Sequence, residues 1–150
     1  MGLRQIDHGS KEYRQMVSLR NKVLREPLGL KFSQEELDKE KDDIHIAAFE
    51  DDELLGCCIL SRVDKQTFRL RQMAVLENNQ HKGIGASLLN YVENIARDRG
   101  ATKIMMHSRA TAVGFYSKMG YKLYGEPFME LGIPHRFMQK VINTFNHDLS

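Results

Sequence analysis

The sequence predicts a mixed α/β fold, and three observations carry that prediction. Near the start, one segment contains apolar side chains at helical spacing, and a second begins with the pattern of a capping box. Two apolar stretches then flank the turn-rich residues 50–52, as the strands of a β-hairpin do. A later strand-like stretch, residues 67–76, leads to a long amphipathic segment that ends at Gly100. Helices, antiparallel strands and a strand–helix unit, in this order, indicate a mixed α/β domain.

The first thirty residues predict a short strand and a helix. The strand is expected over residues 3–8. Ser10 then precedes residues 11–26, where apolar side chains recur at helical spacing. Pro27 lacks a backbone donor and Gly29 relaxes the chain, so we expect the helix to end there.

The next segment predicts a second helix and a hairpin. Ser33 followed by Glu36 is the pattern of a capping box, which favours a short helix over residues 34–42. Two strands are expected over residues 43–50 and 53–64, and the short polar turn between them predicts antiparallel pairing.

The second half of the chain predicts a strand–helix–strand–helix unit and a closing pair of strands. In chain order, the expected elements are a strand over residues 67–76, a helix over 83–99, a strand over 102–108, a short helix over 110–120, and strands over 121–131 and 133–142. Gly100 and Gly120 are the expected helix ends, and Gly132 the expected turn.

Composition is that of an ordinary globular protein. The 150 residues are 41% hydrophobic and 28% charged with a net charge of +2, which fits a single domain, residues 1–150. The nearly balanced charge gives no reason to expect a nucleic-acid partner. No apolar run approaches the roughly 20 residues of a membrane-spanning helix, and the first residues lack the apolar core of a signal peptide. We therefore expect a cytoplasmic protein.

The two cysteines, Cys57 and Cys58, are adjacent in a predicted strand. Neighbouring strand residues point to opposite faces, so the two thiols cannot readily bridge each other. Neither cysteines nor histidines cluster at metal-ligand spacing, so no metal is expected. We expect small strand residues, at least one of them buried, rather than reactive thiols.

A glycine-containing turn precedes the helix predicted over residues 83–99. A helix start leaves about four backbone N–H groups unpaired at its positive end. Gly83 and Gly85 lack a Cβ, so a phosphate can approach the backbone there, and His81 and Lys82 can add positive charge. The pattern lacks the lysine of a Walker loop and the third glycine of a dinucleotide fingerprint. A site for pyrophosphate is one interpretation, and a plain tight turn is the other.

The flanking residues resemble a known family. The segment Q-H-K-G-I-G-A, residues 80–86, is similar to the Q/R-x-x-G-x-G/A signature of the GCN5-related N-acetyltransferases (GNAT). The segment F-Y-S-K-M-G-Y, residues 115–121, resembles the helix-and-turn segment of the same family, and the predicted order of elements is also similar. The resemblance implies the GNAT fold, a mixed central sheet flanked by helices, with acetyl-CoA as co-substrate.

The resemblance also implies which residues contact acetyl-CoA. Backbone N–H groups of the glycine turn would hold the pyrophosphate, and the end of the strand over residues 67–76 would pair with the pantetheine arm and polarise the thioester carbonyl. The implied cofactor-binding residues are Met73, Ala74, Val75, Gln80, His81, Lys82, Gly83, Ile84, Gly85, Ala86 and Ser87.

The reaction that the resemblance implies is direct transfer of an acyl group from coenzyme A to a primary amine. Tyr116 stands at the family's tyrosine position and would protonate the departing thiolate, the alternative being a packed aromatic ring. The family's usual glutamate is absent from the strand over residues 102–108, and Arg109 stands where an asparagine is often found. His135 is the favoured candidate base, because Pro134 fixes the local backbone and a histidine has a suitable intrinsic pKa for proton transfer. The stretch G-I-P-H, residues 132–135, also resembles a branch of small stand-alone family members. The alternative is an ordinary histidine at a loop edge.

Other residues are weaker candidates. His107 could also serve as a base, but a strand histidine is more often structural, and Glu126 and Glu130 are expected to be solvated charges. Residues 31–43 predict a solvated helix face, although acidic charge beside an acceptor groove would steer a cationic amine. Without a competent base, the chain would be a non-catalytic acyl-CoA-binding module. Dimers are common in the family, so a homodimer is one expected state.

Overall fold

The computed structural model describes residues 1–76 and 83–142 of the chain. Within them, the strands are β1 (Gly2–Ile6), β2 (Ile44–Glu50), β3 (Glu53–Arg62), β4 (Thr67–Val75), β5 (Lys103–Arg109), β6 (Lys122–Glu130) and β7 (Ile133–Val141). The α-helices are α1 (Lys11–Arg20), α2 (Gln34–Asp38), α3 (Ile84–Asp98) and α4 (Val113–Lys118). Each helix and strand that the sequence predicts is present.

The strands form a seven-stranded mixed sheet in the order β1-β2-β3-β4-β5-β7-β6. Strands β4 and β5 are parallel, as expected when a helix connects them, whereas the β2–β3 and β6–β7 neighbours are antiparallel. The predicted mixed α/β fold is therefore confirmed.

The chain divides into two compact units. The first comprises Met1–Ser61 and Arg71–Val92, and the second comprises Arg62–Leu70 and Glu93–Ser150. Strand β4 and helix α3 each contribute residues to both units. The single-domain assignment for residues 1–150 stays a prediction.

The N-terminal helices of the first unit begin at the predicted caps. The Ser10 hydroxyl accepts a hydrogen bond from the Tyr13 N–H at 3.1 Å and starts α1. Ser33 and Glu36 form the complete capping box that starts α2. The predicted helix over residues 11–26 is only partly α-helical, because a π-helical segment, Asn21–Arg25, follows α1.

The apolar core of the first unit lies between α1 and the hairpin strands. The β2–β3 hairpin turns at Asp51, whose φ of 54° places it in the left-handed region. The buried core residues are Ile6, Tyr13, Met16, Leu19, Ala47, Phe49, Leu54, Cys57 and Ala74. Both cysteines are buried and free, as predicted.

The predicted solvated face over residues 31–43 is present for most of that segment, which is exposed, but Glu40 departs from it. Glu40 is only 2% exposed and accepts hydrogen bonds from Arg20 and Tyr13. Glu36 pairs with Arg25 at 2.8 Å. These carboxylates stabilise the packing of the helical segments, and they are not free to steer a ligand.

The second unit is built on the β5-β7-β6 part of the sheet. A two-residue turn at Leu131 and Gly132, with φ of 54° and 78°, connects β6 and β7. Alternation along β5 and β7 then sorts the side chains onto two faces. Met106 and Met138 pair on the buried face.

The opposite face of these strands is polar and aromatic. His107 lies opposite Phe137, and Arg109 lies opposite His135. This alternation places both candidate histidines of the second unit on the same face of the sheet.

Candidate functional site

An exposed glycine directly precedes helix α3. Gly83 has φ of 74°, which L side chains rarely adopt, and within the described part of the chain a Cβ at this position would have no atom within 4 Å apart from its sequence neighbours. The Ser87 N–H donates to the Gly83 carbonyl at 3.0 Å, which is the first bond of the helix. The N–H groups preceding Ser87 therefore lack an intrahelical partner, and the dipole of a 15-residue helix makes this end positive. Such an end favours an anion.

The other described residues of the predicted glycine turn, residues 84–87, form the first turn of α3. Ile84 is buried at 3% exposure, whereas Gly85, Ala86 and Ser87 are half-buried. The predictions for Gln80, His81 and Lys82 lie outside the described residues.

Strand β4 has a left-handed residue just before its predicted cofactor-binding end. Gln72 has φ of 56°, which is uncommon for a residue other than glycine and changes the direction of the strand locally. Met73, Ala74 and Val75 follow it, and Ala74 is 1% exposed. The parallel ladder with β5 covers residues 67–70 of β4, which then continues to Val75.

Gly56 in β3 sets the spacing between these two elements of the first unit. A Cβ at Gly56 would lie 3.0 Å from Cγ2 of Ile84, 3.2 Å from the carbonyl oxygen of Ala74 and 3.2 Å from Cδ1 of Leu88. All three distances are shorter than ordinary van der Waals contact. The absence of a side chain therefore lets β3 approach the end of β4 and the first turns of α3 together.

The cysteines of the first unit are not reactive groups. Burial raises the pKa of the Cys57 thiol to about 12 and raises the pKa of Cys58 as well. The predicted structural role is consistent with these protonated, inaccessible thiols.

In the second unit, His135 is buried within β7 at 3% exposure. Its Nδ1 lies 2.9 Å from the carbonyl oxygen of Ile133. A carbonyl only accepts, so Nδ1 carries the hydrogen and the neutral ring has a bare Nε2. That Nε2 lies 3.6 Å from Oε2 of Glu130. The geometry gives His135 a fixed tautomer and a defined direction for its lone pair.

Glu130 contacts both candidate histidines. Its Oε1 lies 2.9 Å from Nδ1 of His107, and its Oε2 faces His135. Burial would raise the pKa of the Glu130 carboxyl, but the hydrogen bond from His107 and the nearby cationic groups outweigh burial, so the pKa lies below its usual value. Glu130 is therefore a carboxylate at neutral pH.

His107 can also contact a guanidinium. Nη2 of Arg69 lies 3.0 Å from the same Nδ1 that faces Glu130. One ring nitrogen either donates to the carboxylate or accepts from the guanidinium, so the tautomer of His107 selects between the two contacts.

Aromatic rings surround this polar group in the second unit. Phe128 stacks on Phe137 with centroids 4.2 Å apart, and both rings meet His107 edge-on, at 5.2 and 5.0 Å. Phe128 also lies 5.7 Å from the ring of His135. The histidines and Glu130 therefore occupy a partly apolar surface.

Glu130 is only partly the solvated charge that the sequence predicts, since its side chain is 38% exposed and also contacts His107, whereas Glu126 is exposed as expected. The register of the β6–β7 hairpin indicates the contact between Glu130 and His135. Glu130 pairs with Ile133 and Phe128 pairs with His135, so Glu130 and His135 are diagonal neighbours on one face. Recognising the two-residue turn at Leu131 and Gly132 would have placed them together.

Tyr116 lies in α4 and is 7% exposed. Its ring meets Phe115 edge-on at 5.1 Å and lies 6.0 Å from the ring of Tyr121. Both predicted roles, thiolate protonation and aromatic packing, stay open for a tyrosine in this position.

Metal-binding clusters and membrane-spanning helices are both absent from residues 1–76 and 83–142. No group of three or more His, Cys, Asp or Glu residues among them is arranged to hold a metal ion. No helix among them has the length and apolar character needed to cross a membrane.

A sequence model described as an acetyltransferase (GNAT) domain matches residues 15–142 of the chain. The chain belongs to the GNAT acetyltransferase family. It is 31% identical over 99 residues to the uncharacterized protein YyaT of Bacillus subtilis strain 168, and the match covers 66% of each chain, just under two thirds of YyaT. It is 30% identical over 110 residues to the uncharacterized N-acetyltransferase YjcF of the same organism, covering 72% of this chain and 78% of YjcF.

Solved GNAT structures resemble the chain over almost its whole length. An aminoglycoside 6'-N-acetyltransferase complexed with coenzyme A superposes with a TM-score of 0.78 at 18% identity, covering 95% of this chain and 98% of that chain. At this identity, the similarity shows the GNAT fold. Acetyl-CoA is the co-substrate of the GNAT family.

Proposed function

We propose that this GNAT domain is an acetyl-CoA-dependent N-acetyltransferase that transfers the acyl group directly from coenzyme A to a primary amine. The observation that carries the proposal is the exposed, left-handed Gly83 at the start of α3. It leaves unpaired N–H groups open to an anion, which suits the pyrophosphate of coenzyme A. The relatives named as N-acetyltransferases support the same assignment.

The first unit carries the residues proposed to bind acetyl-CoA. The N–H groups of residues 83–86 would donate to the pyrophosphate, and the Ser87 hydroxyl would add a further donor. Met73, Ala74 and Val75 follow the left-handed Gln72, and their backbone would pair with the pantetheine amides. One N–H of this strand end would polarise the thioester carbonyl.

The second unit carries the residues proposed for proton transfer. A primary amine near pKa 10 is mostly protonated at neutral pH, so a base must remove one proton before the amine attacks the thioester. His135 is the proposed base, because the bond from its Nδ1–H to Ile133 leaves Nε2 able to accept a proton. Tyr116 is the proposed acid for the departing thiolate.

A second candidate is a non-catalytic module that binds acyl-CoA without turnover. The observation that favours it is the lack of a carboxylate in β5, where this family usually has a glutamate. The fixed tautomer of His135 favours the enzyme instead, because its Nε2 can accept a proton from the amine.

The acceptor is a primary amine whose identity the fold does not determine, since one fold serves many acceptors. An aminoglycoside is the acceptor named for one similar structure. The second unit of this chain has an aromatic surface beside its candidate base, which favours an amine with an apolar substituent.

Thermal melting with acetyl-CoA, coenzyme A or ATP tests the cofactor assignment. A ligand at 100 times its Kd adds about 2.7 kcal/mol, which is about 5 °C or more for a domain of this size. We expect a shift with both coenzyme A species and none with ATP. No shift with either coenzyme A species would contradict the proposal.

Release of free thiol from acetyl-CoA in the presence of primary amines then separates the two candidate functions. Thiol-reactive dyes are suitable because both cysteines of the protein are buried. An enzyme releases thiol only with an amine present. A binding module shifts the melting temperature with coenzyme A and releases no thiol with any amine.

A further inference from the structure

Two acceptor atoms converge in the second unit with no hydrogen bond between them. Nε2 of His135 and Oε2 of Glu130 are 3.6 Å apart, which is too long for a hydrogen bond. In the neutral ring Nε2 has a lone pair and no hydrogen, because Nδ1 donates to Ile133. Oε2 belongs to a carboxylate whose pKa is lowered. Two electron-rich atoms therefore face each other, and a donor group placed against both would stabilise the pair.

Contacts on either side hold this pair in place. The backbone carbonyl of Ile133 fixes the ring of His135 at 2.9 Å. His107 contacts Oε1 of Glu130, also at 2.9 Å, and thereby directs Oε2 toward His135. The acceptor pair is thus positioned before any ligand arrives, which lowers the entropy cost of binding.

We propose that His135 Nε2 and Glu130 Oε2 together form the binding subsite for the ammonium group of the acceptor substrate. The inference rests on the proposed function and adds the pair of residues that recognises the amine. A primary ammonium has three N–H donors, and its nitrogen can lie at hydrogen-bonding distance from both acceptors at once. A hydroxyl has one hydrogen and no charge, so it cannot satisfy both atoms.

The same arrangement supplies the deprotonation step. One N–H bond of the ammonium breaks, its proton bonds to Nε2 of His135, and the electron pair stays on the amine nitrogen as the nucleophile. The products are a neutral amine and an imidazolium. Glu130 stays ionised and stabilises the imidazolium charge, so it is a positioning residue that also binds the substrate cation.

The groups around the pair restrict what else binds there. The strands next to the His135–Glu130 pair carry Arg69, His107 and Arg109. The guanidinium groups of Arg69 and Arg109 oppose a second cationic group on the ligand. Phe128, 5.7 Å from the His135 ring, offers an aromatic face beside the ammonium. The acceptor class is therefore a singly charged primary amine with an apolar or aromatic substituent.

Binding of 2-phenylethylamine without acetyl-CoA tests the subsite independently of turnover. The ring signals of His135 are followed by NMR at pH 7 during titration with this amine and, separately, with 2-phenylethanol. We expect a saturable shift with the amine and none with the alcohol. Glu130→Gln keeps the shape and removes the charge, so the amine should bind at least about tenfold more weakly.

Two further variants are controls for the position and the charge of Glu130. Glu126→Gln changes an exposed glutamate on the same strand and should titrate like the wild type. Glu130→Asp keeps the charge and should recover part of the affinity. Equal amine affinity in Glu130→Gln and the wild type, equal shifts with the alcohol, or no saturable shift of His135 would each overturn the subsite.

Thiol release with acetyl-CoA and the same amine distinguishes a failure of the subsite proposal from a failure of the proposed function. Thiol release that is unchanged by Glu130→Gln would overturn the subsite and leave the proposed function standing. Glu130-dependent amine binding without acetyl-CoA binding or thiol release would support the subsite and contradict the proposed function.

Discussion

Arg20 and Glu40 form a buried, bidentate ion pair. Nη2 of Arg20 lies 3.0 Å from Oε2 of Glu40, Nη1 contacts Oε1, and the side chains are only 0% and 3% exposed. The hydroxyl of Tyr13 donates to the same carboxylate. This pair connects α1 to the segment after α2. Since burying either charge alone would be costly, the two segments are held together wherever both charges stay buried.

Glu40→Gln should therefore destabilise the protein strongly. The substitution leaves the buried guanidinium of Arg20 without its counter-charge, for which the expected loss is about 3–5 kcal/mol. Urea denaturation of the variant and the wild type at pH 7 measures the difference. The double variant Arg20→Met, Glu40→Leu replaces both charges by apolar groups and should recover much of the loss. A Glu40→Gln variant as stable as the wild type would show that the pair contributes nothing.

Stability should fall in two steps as the solution is acidified. Burial lowers the pKa of His45 below its ordinary 6.5. As the pH falls below 6.5, the unfolded state therefore binds a proton more readily than the folded state does, and the free energy of unfolding decreases. Burial would raise the pKa of Glu40, but Arg20 outweighs it and lowers the pKa below 4.5, so a second loss begins there. Urea midpoints between pH 8 and pH 3 would show both steps.

His45→Gln isolates the first step. Nε2 of His45 lies 2.8 Å from the Glu40 carbonyl and must be the donor, and the amide of glutamine can replace it. The variant should lose the upper step and keep the lower one. An unchanged upper step would assign it to another group.

The sequence was informative where structure depends on neighbours in the chain. The caps at Ser10 and Ser33 involve residues only three positions away, and the left-handed Gly29 follows a proline-containing turn. Such local chemistry is readable without knowing the fold. The helix and strand order followed from these signals and from apolar periodicity.

Long-range contacts could not be predicted in the same way. The partners of Glu40 and Glu130 are Arg20, 20 positions away, and His107, 23 positions away. The sequence around a glutamate gives no sign of which distant group will meet it. Gln72 is similar, since glutamine does not favour the left-handed region and only its tertiary surroundings place it there.

Gly56→Val should weaken coenzyme A binding by displacing the elements proposed to hold it. The added atoms would start about 3.0 Å from Ile84 and 3.2 Å from the Ala74 carbonyl, so β4 or α3 must shift. Overpacking of this kind typically costs about 1–3 kcal/mol. Urea denaturation and titration calorimetry with coenzyme A measure the two effects. Gly2→Val, where a Cβ meets nothing within 4 Å, is the control. Unchanged affinity in Gly56→Val would separate this packing from the cofactor.

Gly83→Glu should abolish coenzyme A binding while the fold persists. The side chain would carry negative charge to the helix start proposed to receive the pyrophosphate, and a Cβ there would meet no atom of the described residues within 4 Å beyond its sequence neighbours. Because φ is 74°, any side chain adds strain, and Gly83→Ala measures that part alone. Calorimetry with coenzyme A should give a much greater loss for Glu than for Ala. Equal affinities for the two variants would argue against an anion site.

Tyr116→Phe should slow turnover and leave coenzyme A binding nearly unchanged. Phenylalanine keeps the buried ring, 7% exposed in the wild type, and removes only the hydroxyl proposed to protonate the thiolate. General acid catalysis typically contributes about 10²–10⁴-fold, so kcat should fall within that range. The matched control is Tyr121→Phe, which removes a neighbouring buried hydroxyl that donates to Glu93 at 3.0 Å. That variant should lose stability and retain kcat. A pure packing role for Tyr116 predicts unchanged kcat in Tyr116→Phe, because the ring contacts with Phe115 and Tyr121 are kept.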